Sequence, residues 1–330
     1  MDSPRKDIRC FICARAASPY FRSPDRLYEG RKGEFDLWRC PACGLVFLSP
    51  HPGERVLHAH YPREYGPHAD FADSGAHGET TGRIRNVMSR GARRYWFGYP
   101  PGKRWWQVIF YPYALRLAHY PYYRDNGSLL DIGCGSGQFM SSMKRVGWTE
   151  VVGIDFSERA VGVAKKRGLD AHVGTVGELR FPDSHFDAIT MHHVFEHLPD
   201  PKEMLSEAKR ILKDDGEVII TVPNTGSFLA RLFGKNWFGF EIPRHLYNYN
   251  KKNLLTLLSQ CGFRVTSVVS VKIFSTLMAD IGYAFPKFRA AGAKTLRQLN
   301  AISNAAEFFI DPLLRPFTLG DELTFRARKR

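Results

Sequence analysis

A doubly wound α/β fold with a mostly parallel sheet, preceded by a small cysteine-built β module, is predicted by three observations. An apolar strand runs into a glycine turn at Leu129-Leu130-Asp131-Ile132-Gly133-Cys134-Gly135-Ser136-Gly137. Short apolar segments then alternate with helical ones, as parallel pairing demands. Two Cys-x-x-Cys pairs stand near the amino terminus.

From the amino terminus, Cys10-x-x-Cys13 and Cys40-x-x-Cys43 are compatible with four thiolates on one tetrahedral zinc ion. Gly44 lets backbone amides turn toward sulfur, and Leu45-Val46-Phe47 continues as a strand. The pattern predicts a zinc ribbon over residues 1–60. Its zinc would be structural, because four thiolates leave no open position for chemistry. Two disulfides in a secreted module are the alternative; Met1 to Arg9 is charged and no apolar run follows, so no signal peptide is read. Cys134 and Cys261 remain as ordinary buried thiols.

Residues 61–125 read as a linker in which bases and aromatics interleave: Arg93-Arg94-Tyr95-Trp96-Phe97-Gly98-Tyr99, Lys103-Arg104-Trp105-Trp106 and Phe110-Tyr111-Pro112-Tyr113. Such a segment suits a pocket floor, a lipid headgroup interface or stacking on nucleobases. Pro100-Pro101-Gly102, Pro112 and Pro121 break it into short pieces.

The third region, residues 126–330, carries the glycine turn. At Gly133, Gly135 and Gly137 the backbone can approach a ligand closely. A dinucleotide fingerprint needs a glycine where Gln138 stands. Asp131 would repel a pyrophosphate but attract an ammonium and a sulfonium, which points to S-adenosylmethionine as cofactor. The segment Val151-Val152-Gly153-Ile154-Asp155 reads as a second strand, ending in an acid about 20 residues past the glycines that can accept both ribose hydroxyls. Between them Phe139, Met143 and Val146 have helical spacing, stopped by Gly147. Phe186 to Met191 and Gly216 to Val222 give two more strands around a helix from Pro201 to Leu212.

These residues resemble the class I S-adenosylmethionine-dependent methyltransferases of small-molecule type. The resemblance rests on Leu130-Asp131-Ile132-Gly133-Cys134-Gly135-Ser136-Gly137, Asp155, and Phe186-Asp187 followed by Glu196-His197-Leu198-Pro199-Asp200-Pro201. It covers about residues 126 to 270 and a closing strand near Glu322 to Ala327, and implies the family's seven-stranded Rossmann-like sheet. It further implies Asp131, Gly133, Gly135 and Gly137 near the methionine moiety, Asp155 on the ribose, Thr175 and Val176 beside the adenine, and His193 near the donor methyl. Many relatives place an Asp where Thr175 stands. Acceptors in the resembling subgroup include quinols, sugars and lipid precursors.

The run His193-Val194-Phe195-Glu196-His197 also matches the inverted metalloprotease pattern His-x-x-Glu-His. Pro199-Asp200-Pro201 would cut any such helix short, which sets that reading aside. Further on, Pro243-Arg244-His245-Leu246-Tyr247 is expected to close over the acceptor. His245 is the candidate general base, with His193 as the second catalytic candidate, since imidazole titrates near the working pH. The alternative is that His245 merely caps the helix beginning near Asn250. Arg231, Lys235 and Arg244 are candidates to bind a phosphate or carboxylate on the acceptor. Residues 272 to 318 are expected to form a helical cap, from Phe274, Leu277, Met278, Ile281, Phe285, Leu299, Ile302, Ala306 and Phe309.

Composition sets the outer limits. A chain of 330 residues with 44% apolar content can bury a full core, and its formal charge of +14 implies an anionic partner. No uncharged apolar run approaches the ~18 residues of a membrane span. The expected location is cytoplasmic, with peripheral contact to an anionic membrane left open. The expected activity is methyl transfer to a hydroxyl of a small-molecule, saccharide or lipid-linked acceptor. An RNA base methyltransferase that uses the ribbon to grip nucleic acid, or a sugar C-methyltransferase, is the alternative.

Overall fold

The computed structural model describes residues 7–27, 33–61, 93–94, 97–99, 105, 117–272, 276–285 and 317–330. Most of the aromatic linker, including Trp96, Trp106, Phe110 and Tyr113, lies outside them, as do Phe274, Leu299, Ile302, Ala306 and Phe309 of the expected cap.

The amino-terminal module consists of β1 (Ser18–Pro24), β2 (Glu34–Arg39), β3 (Val46–Leu48) and α1 (Glu54–His60). The larger unit follows as β4 (Ser128–Ile132), α2 (Gln138–Arg145), β5 (Glu150–Asp155), α3 (Glu158–Lys166), β6 (Asp170–Val173), α4 (Val176–Leu179) and β7 (Phe186–His192). It continues with α5 (Pro201–Ile211), β8 (Leu212–Pro223), α6 (Phe228–Phe233), β9 (Tyr247–Asn248), α7 (Lys251–Gln260), β10 (Phe263–Val271), α8 (Leu277–Ala284) and β11 (Glu322–Lys329).

Seven strands form one sheet in the order β10-β11-β8-β7-β4-β5-β6. Strands β4 to β8 within it pair in parallel, and β11 lies antiparallel between β8 and β10. The central strands are continuous apolar runs because helices cover both faces; Leu129, Leu130, Ile189, Val218, Ile219 and Ile220 are fully buried. Local chemistry marks the helix starts: Ser157 caps α3, and Asp200 accepts from the amides of Lys202 and Glu203 at the start of α5, where Pro201 fills the first turn. Asn250 and Asn253 form a reciprocal capping box on α7, so His245 does not cap that helix.

A second sheet, β1-β2-β3-β9, joins the two parts of the molecule. Its fourth strand comes from the large unit, with Phe47 opposite Tyr247 and Val46 opposite Asn248. Strand β3 is short and buried along its length, so its free edge needs a partner, and the segment after His245 supplies one. The Leu48 amide donates to Leu246 O at 3.0 Å, Lys252 Nζ to Ala42 O at 2.8 Å, and Gln260 Nε2 to Ile12 O at 3.0 Å. One apolar cluster runs without a break from Cys10, Leu37 and Phe47 to Leu254, Leu257 and Leu258.

Of the expected cap, α8 is described. Its fully buried Asp280 accepts from the Phe238 amide and from Thr276 Oγ1, pinning the helix to the loop after α6. No helix among the described residues is long and apolar enough to cross a membrane.

Candidate active site

At the carboxyl ends of β4 and β5 the chain makes the turn that the glycines foretold. Gly133, Gly135 and Gly137 have φ of 74°, 52° and 80°, a region that favours residues without Cβ. A Cβ on Gly133 would stand 2.1 Å from Val194 Cγ2, and one on Gly137 2.2 Å from Leu169 Cδ1. The carboxylate of Asp155 is fixed by two backbone bonds, accepting from Gly135 N on Oδ2 and Ser157 N on Oδ1, each at 2.9 Å.

Gly133, Gly135 and Asp155 line a cavity of about 670 Å³, together with Phe156, His192, His193, His197 and His245. This backbone cradle and oriented acid fit S-adenosylmethionine. The other sequence-predicted cofactor residues do not form its wall. Asp131 lies beneath the turn, 2% exposed, accepting from Thr190 Oγ1 at 2.8 Å, and burial pushes its carboxyl up to about 7. Gly137 serves close packing, as its Cβ clash shows. Thr175 closes a capping box with Glu178 at the start of α4, and Val176 is core.

The cavity's opposite side carries a carboxylate–imidazole cluster. His193, with φ 55°, places Nδ1 3.5 Å from Glu196 Oε1 and Nε2 3.4 Å from Glu322 Oε1, and Lys272 Nζ approaches the same Glu322 oxygen at 2.6 Å. Burial alone would lower His193, but Glu322 and Glu196 outweigh it and raise its imidazolium to about 10. Burial opposes ionisation of Glu196 as well; the His193, His197 and His245 rings nevertheless bring it below the ordinary carboxyl value. The run 193–197 is not the α-helix of a metalloprotease: a short 3₁₀ turn covers Phe195–His197.

His245 lies in the wall, 4% exposed, with Nδ1 2.7 Å from Gly239 O. A carbonyl can only accept, so Nδ1 carries the proton and Nε2 presents its lone pair. Nε2 stands 3.7 Å from Glu241 Oε2 and 3.9 Å from Glu196 Oε1. Burial, reinforced by the His197 ring, pushes His245 down to about 3, so the ring is neutral.

Arg244, expected as a cation for the acceptor, has a different role. It is 1% exposed, bonds to Asp25 through Nη1 at 2.7 Å and Nη2 at 3.1 Å, and pairs through Nε with Glu241 at 2.9 Å. Its guanidinium is spent on fastening the amino-terminal module. Arg231 lines a separate cleft, and Lys235 stands outside the cavity wall.

Sequence reasoning missed several wall residues. Leu57 and Tyr61 reach in from the amino-terminal module, and Tyr61 Oη lies 3.1 Å from His197 Nδ1. Phe156, 52% exposed next to Asp155, was discoverable as an aromatic placed directly after the ribose acid. Glu241 and Glu322 had no local signal, because each reaches the cavity only through the fold.

The four cysteines come together as their spacing implied. Cys10 Sγ is 3.6 Å from Cys43 Sγ, Cys13 Sγ is 3.4 Å from Cys40 Sγ, and the four sulfurs lie within 4.8 Å of one another. A tetrahedron with Zn–S bonds of ~2.3 Å has edges of roughly 3.8 Å, so the group is compatible with zinc. The two knuckles are alike: the Ala14 amide donates to Cys10 O at 2.8 Å and the Gly44 amide to Cys40 O at 2.9 Å, with φ of 56° and 76°.

Strand order, glycine turn and oriented acid define a class I S-adenosylmethionine-dependent methyltransferase, and the family model and the sequence relatives agree. A methyltransferase-domain family model matches residues 109–268. The chain belongs to the S-adenosylmethionine-dependent methyltransferases. A ubiquinone biosynthesis O-methyltransferase of Hahella chejuensis is 32% identical over 132 residues, 37% of this chain and 55% of that protein. A probable S-adenosylmethionine-dependent methyltransferase of Mycolicibacterium smegmatis is 30% identical over 192 residues, 57% of this chain and 66% of that protein. The chain thus spans little more than half the length of the ubiquinone-biosynthesis relative. A solved methyltransferase of Thermotoga maritima, described as a possible histamine N-methyltransferase, is 21% identical with a TM-score of 0.45, covering 75% of this chain and 97% of that one.

Proposed function

We propose that the protein transfers the methyl of S-adenosylmethionine to a hydroxyl of a small, largely apolar acceptor, a saccharide or lipid-linked one included. The observation that carries this reading is the composition of the cavity beyond the donor loop. Leu57, Tyr61, Val194, Leu198, Trp237 and Phe238 give it an apolar wall, and beyond the donor acid Asp155 its ionisable side chains include His193, His197, Glu241, His245 and Glu322. An apolar body with one hydroxyl to be deprotonated matches that distribution. The O-methyltransferase name of the quinol-pathway relative supports the same class of acceptor.

S-adenosylmethionine supplies a methyl on a sulfonium leaving group. Asp155 and the glycine amides fix the donor side, and Phe156 offers a face for the adenine. The apolar wall orients the acceptor and excludes water. His245 Nε2, the unprotonated nitrogen at the cavity, is placed to take the hydroxyl proton, and with its value held at about 3 it is a weaker base than the free imidazole on which the sequence expectation rested. His193 is cationic and steadies the anionic partners around it. The four cysteines hold a structural zinc that shapes the module carrying Tyr61.

A second cleft of about 550 Å³ is lined by Arg39, Arg231, Lys251 and Lys252, with no acidic residue among the described residues of its wall. Together with the charge of +14, it supports an anionic acceptor group or surface. The test is incubation with methyl-labelled S-adenosylmethionine and a cell extract fractionated by chemistry. Label in the lipid, small-molecule or saccharide fraction at a base-stable ether, lost in Asp155→Ala, is expected; nuclease-sensitive label would replace the reading with RNA methylation.

A further inference from the structure

The second cleft gathers four cations with no acid to match them. Arg39 comes from β2 of the amino-terminal module, Arg231 from α6, and Lys251 and Lys252 from the first turn of α7, and all four residues are exposed. Cations packed elsewhere in the molecule are matched: Arg210 pairs with Asp183 and Glu207, Arg244 with Asp25, Lys272 with Glu322, and Arg326 with Glu217. In the cleft, Lys252 Nζ donates to the Ala42 carbonyl at 2.8 Å and the Arg39 guanidinium lies 5.5 Å over the Tyr20 ring, and neither partner carries a full negative charge. Among the described residues no carboxylate forms an ion pair with any of the four. Like charges drawn to one concave site raise its potential, and an anion that enters offsets the repulsion.

The walls of this cleft are fixed to one another. Asn250 Nδ2 donates to Cys43 O at 3.2 Å, and a Cβ on Gly44 would stand 2.8 Å from that nitrogen, so glycine lets the second cysteine knuckle sit against the start of α7. Arg39 precedes the knuckle and Lys251 follows Asn250, so the same contact sets the spacing between cations of the two parts. The helix α7 is ten residues long, and Asn250, Lys251 and Lys252 bring its positive end to the cleft. Asn250 Oδ1 accepts from the Asn253 amide, which leaves the Lys251 and Lys252 amides of the first turn with no acceptor inside the helix. Tyr20 and Phe240, with ring centroids 6.4 Å apart, add an apolar face beside the charges.

We propose that this cleft binds a small phosphate ester carrying two phosphoryl groups. Its volume of about 550 Å³ falls within the ~300–1,000 Å³ of small-molecule sites. A terminal phosphate carries about −1.5 to −2 at pH 7 and offers three acceptor oxygens, so one such group matches half of the cleft's charge and two match all of it. Two guanidinium groups can take phosphate oxygens in pairs, and two ammonium groups add point charge from the facing helix. A single carboxylate would leave most of that charge unmatched. The site lies apart from methyl transfer, since cleft and donor cavity share no described lining residue. The 234–240 loop stands between them, with Gly234 and Phe240 on the cleft and Trp237, Phe238 and Gly239 on the cavity. The inference goes beyond the hydroxyl-acceptor reading and does not depend on it.

The probe is inorganic pyrophosphate, titrated by calorimetry at low ionic strength into the full chain beside Arg231→Gln, Lys251→Gln and, as a charge control on β10, Arg264→Gln. The wild type is expected to bind one pyrophosphate per chain. Each cleft variant should bind it about 10-fold more weakly, as loss of one charge-assisted bond implies, with Arg264→Gln within about 2-fold of the wild type. An unchanged Tm certifies that the variants fold. No pyrophosphate binding by the wild type, or undiminished binding by both cleft variants, overturns the site. Equal weakening by Arg264→Gln overturns it as well, because net charge alone then accounts for the affinity. Phosphatidylcholine vesicles containing phosphatidic acid separate the two sources of phosphate: capture on them that needs Arg231 and Lys251, in a protein that binds no pyrophosphate, overturns the small ligand in favour of a membrane surface.

Discussion

Replacing Arg244 with Met tests how the amino-terminal sheet is fastened to the methyltransferase unit. The side chains of Arg244 and Asp25 are both 0% exposed, so the substitution leaves a buried carboxylate without its main counter-ion. Removing one partner of such a pair costs about 3–5 kcal/mol. Asp25 keeps His60 Nδ1 at 2.8 Å and the Leu27 amide at 3.0 Å, which places the expected loss at the lower end, ~3 kcal/mol or roughly 6–12 °C in Tm. Urea denaturation followed by tryptophan fluorescence reads it. The pair Arg244→Met with Asp25→Leu should recover most of the loss, because two apolar side chains replace both charges. S-adenosylmethionine affinity should stay within about 2-fold, since Gly133, Gly135 and Asp155 lie across the cavity on another part of the sheet. A single-variant loss under about 1 kcal/mol, or a double variant no better than the single, would refute the reasoning.

Other consequences follow from the same geometry. Phe156→Ala should weaken S-adenosylmethionine binding by about 10-fold, as loss of a stacking face worth about 1–3 kcal/mol implies; calorimetry giving an unchanged Kd would exclude the ring from the adenine site. Stripping metal from the four cysteines with a chelator should speed hydrogen exchange of β1 to β3 while β4 to β8 stay protected, and equal protection before and after would show that no ion organises the module. For the ligand-free protein, Asp131 has a folded value of about 7 against an ordinary 3.8, so the native state binds the extra proton and stability falls as pH rises between the two. Asp131→Asn should remove that component, making the variant the more stable protein at pH 8 with no advantage below about pH 4; parallel stability–pH curves would show that the carboxyl is not desolvated as described.

Much of the large unit was legible because its signals are local. A strand buried on both faces is a continuous apolar run, which is why Ser128–Ile132, Glu150–Asp155 and Phe186–His192 lie where the hydrophobic segments predicted them, whereas Glu322–Lys329 lies where the family resemblance put a closing strand. Strand β6, Asp170–Val173, escaped notice because it lies at the sheet edge and is short and partly polar. Cap chemistry is equally local, and Asn250 with Asn253 settles what the sequence left open about the role of His245 as a cap.

The sequence by itself determined the glycine turn, the acid Asp155, the strand and helix alternation and the spacing of the four cysteines, since each depends on residues close along the chain or on one recurrent spacing. Only the tertiary structure decided that β9 completes the amino-terminal sheet, that Arg244 is buried against Asp25 and not offered to a substrate, and that Glu196, His197 and His245 face one another. Those are contacts between residues far apart in sequence. Side-chain type restricts which partners are possible, but which of them meet depends on the packing of whole elements, and that is expressed only once the chain is folded.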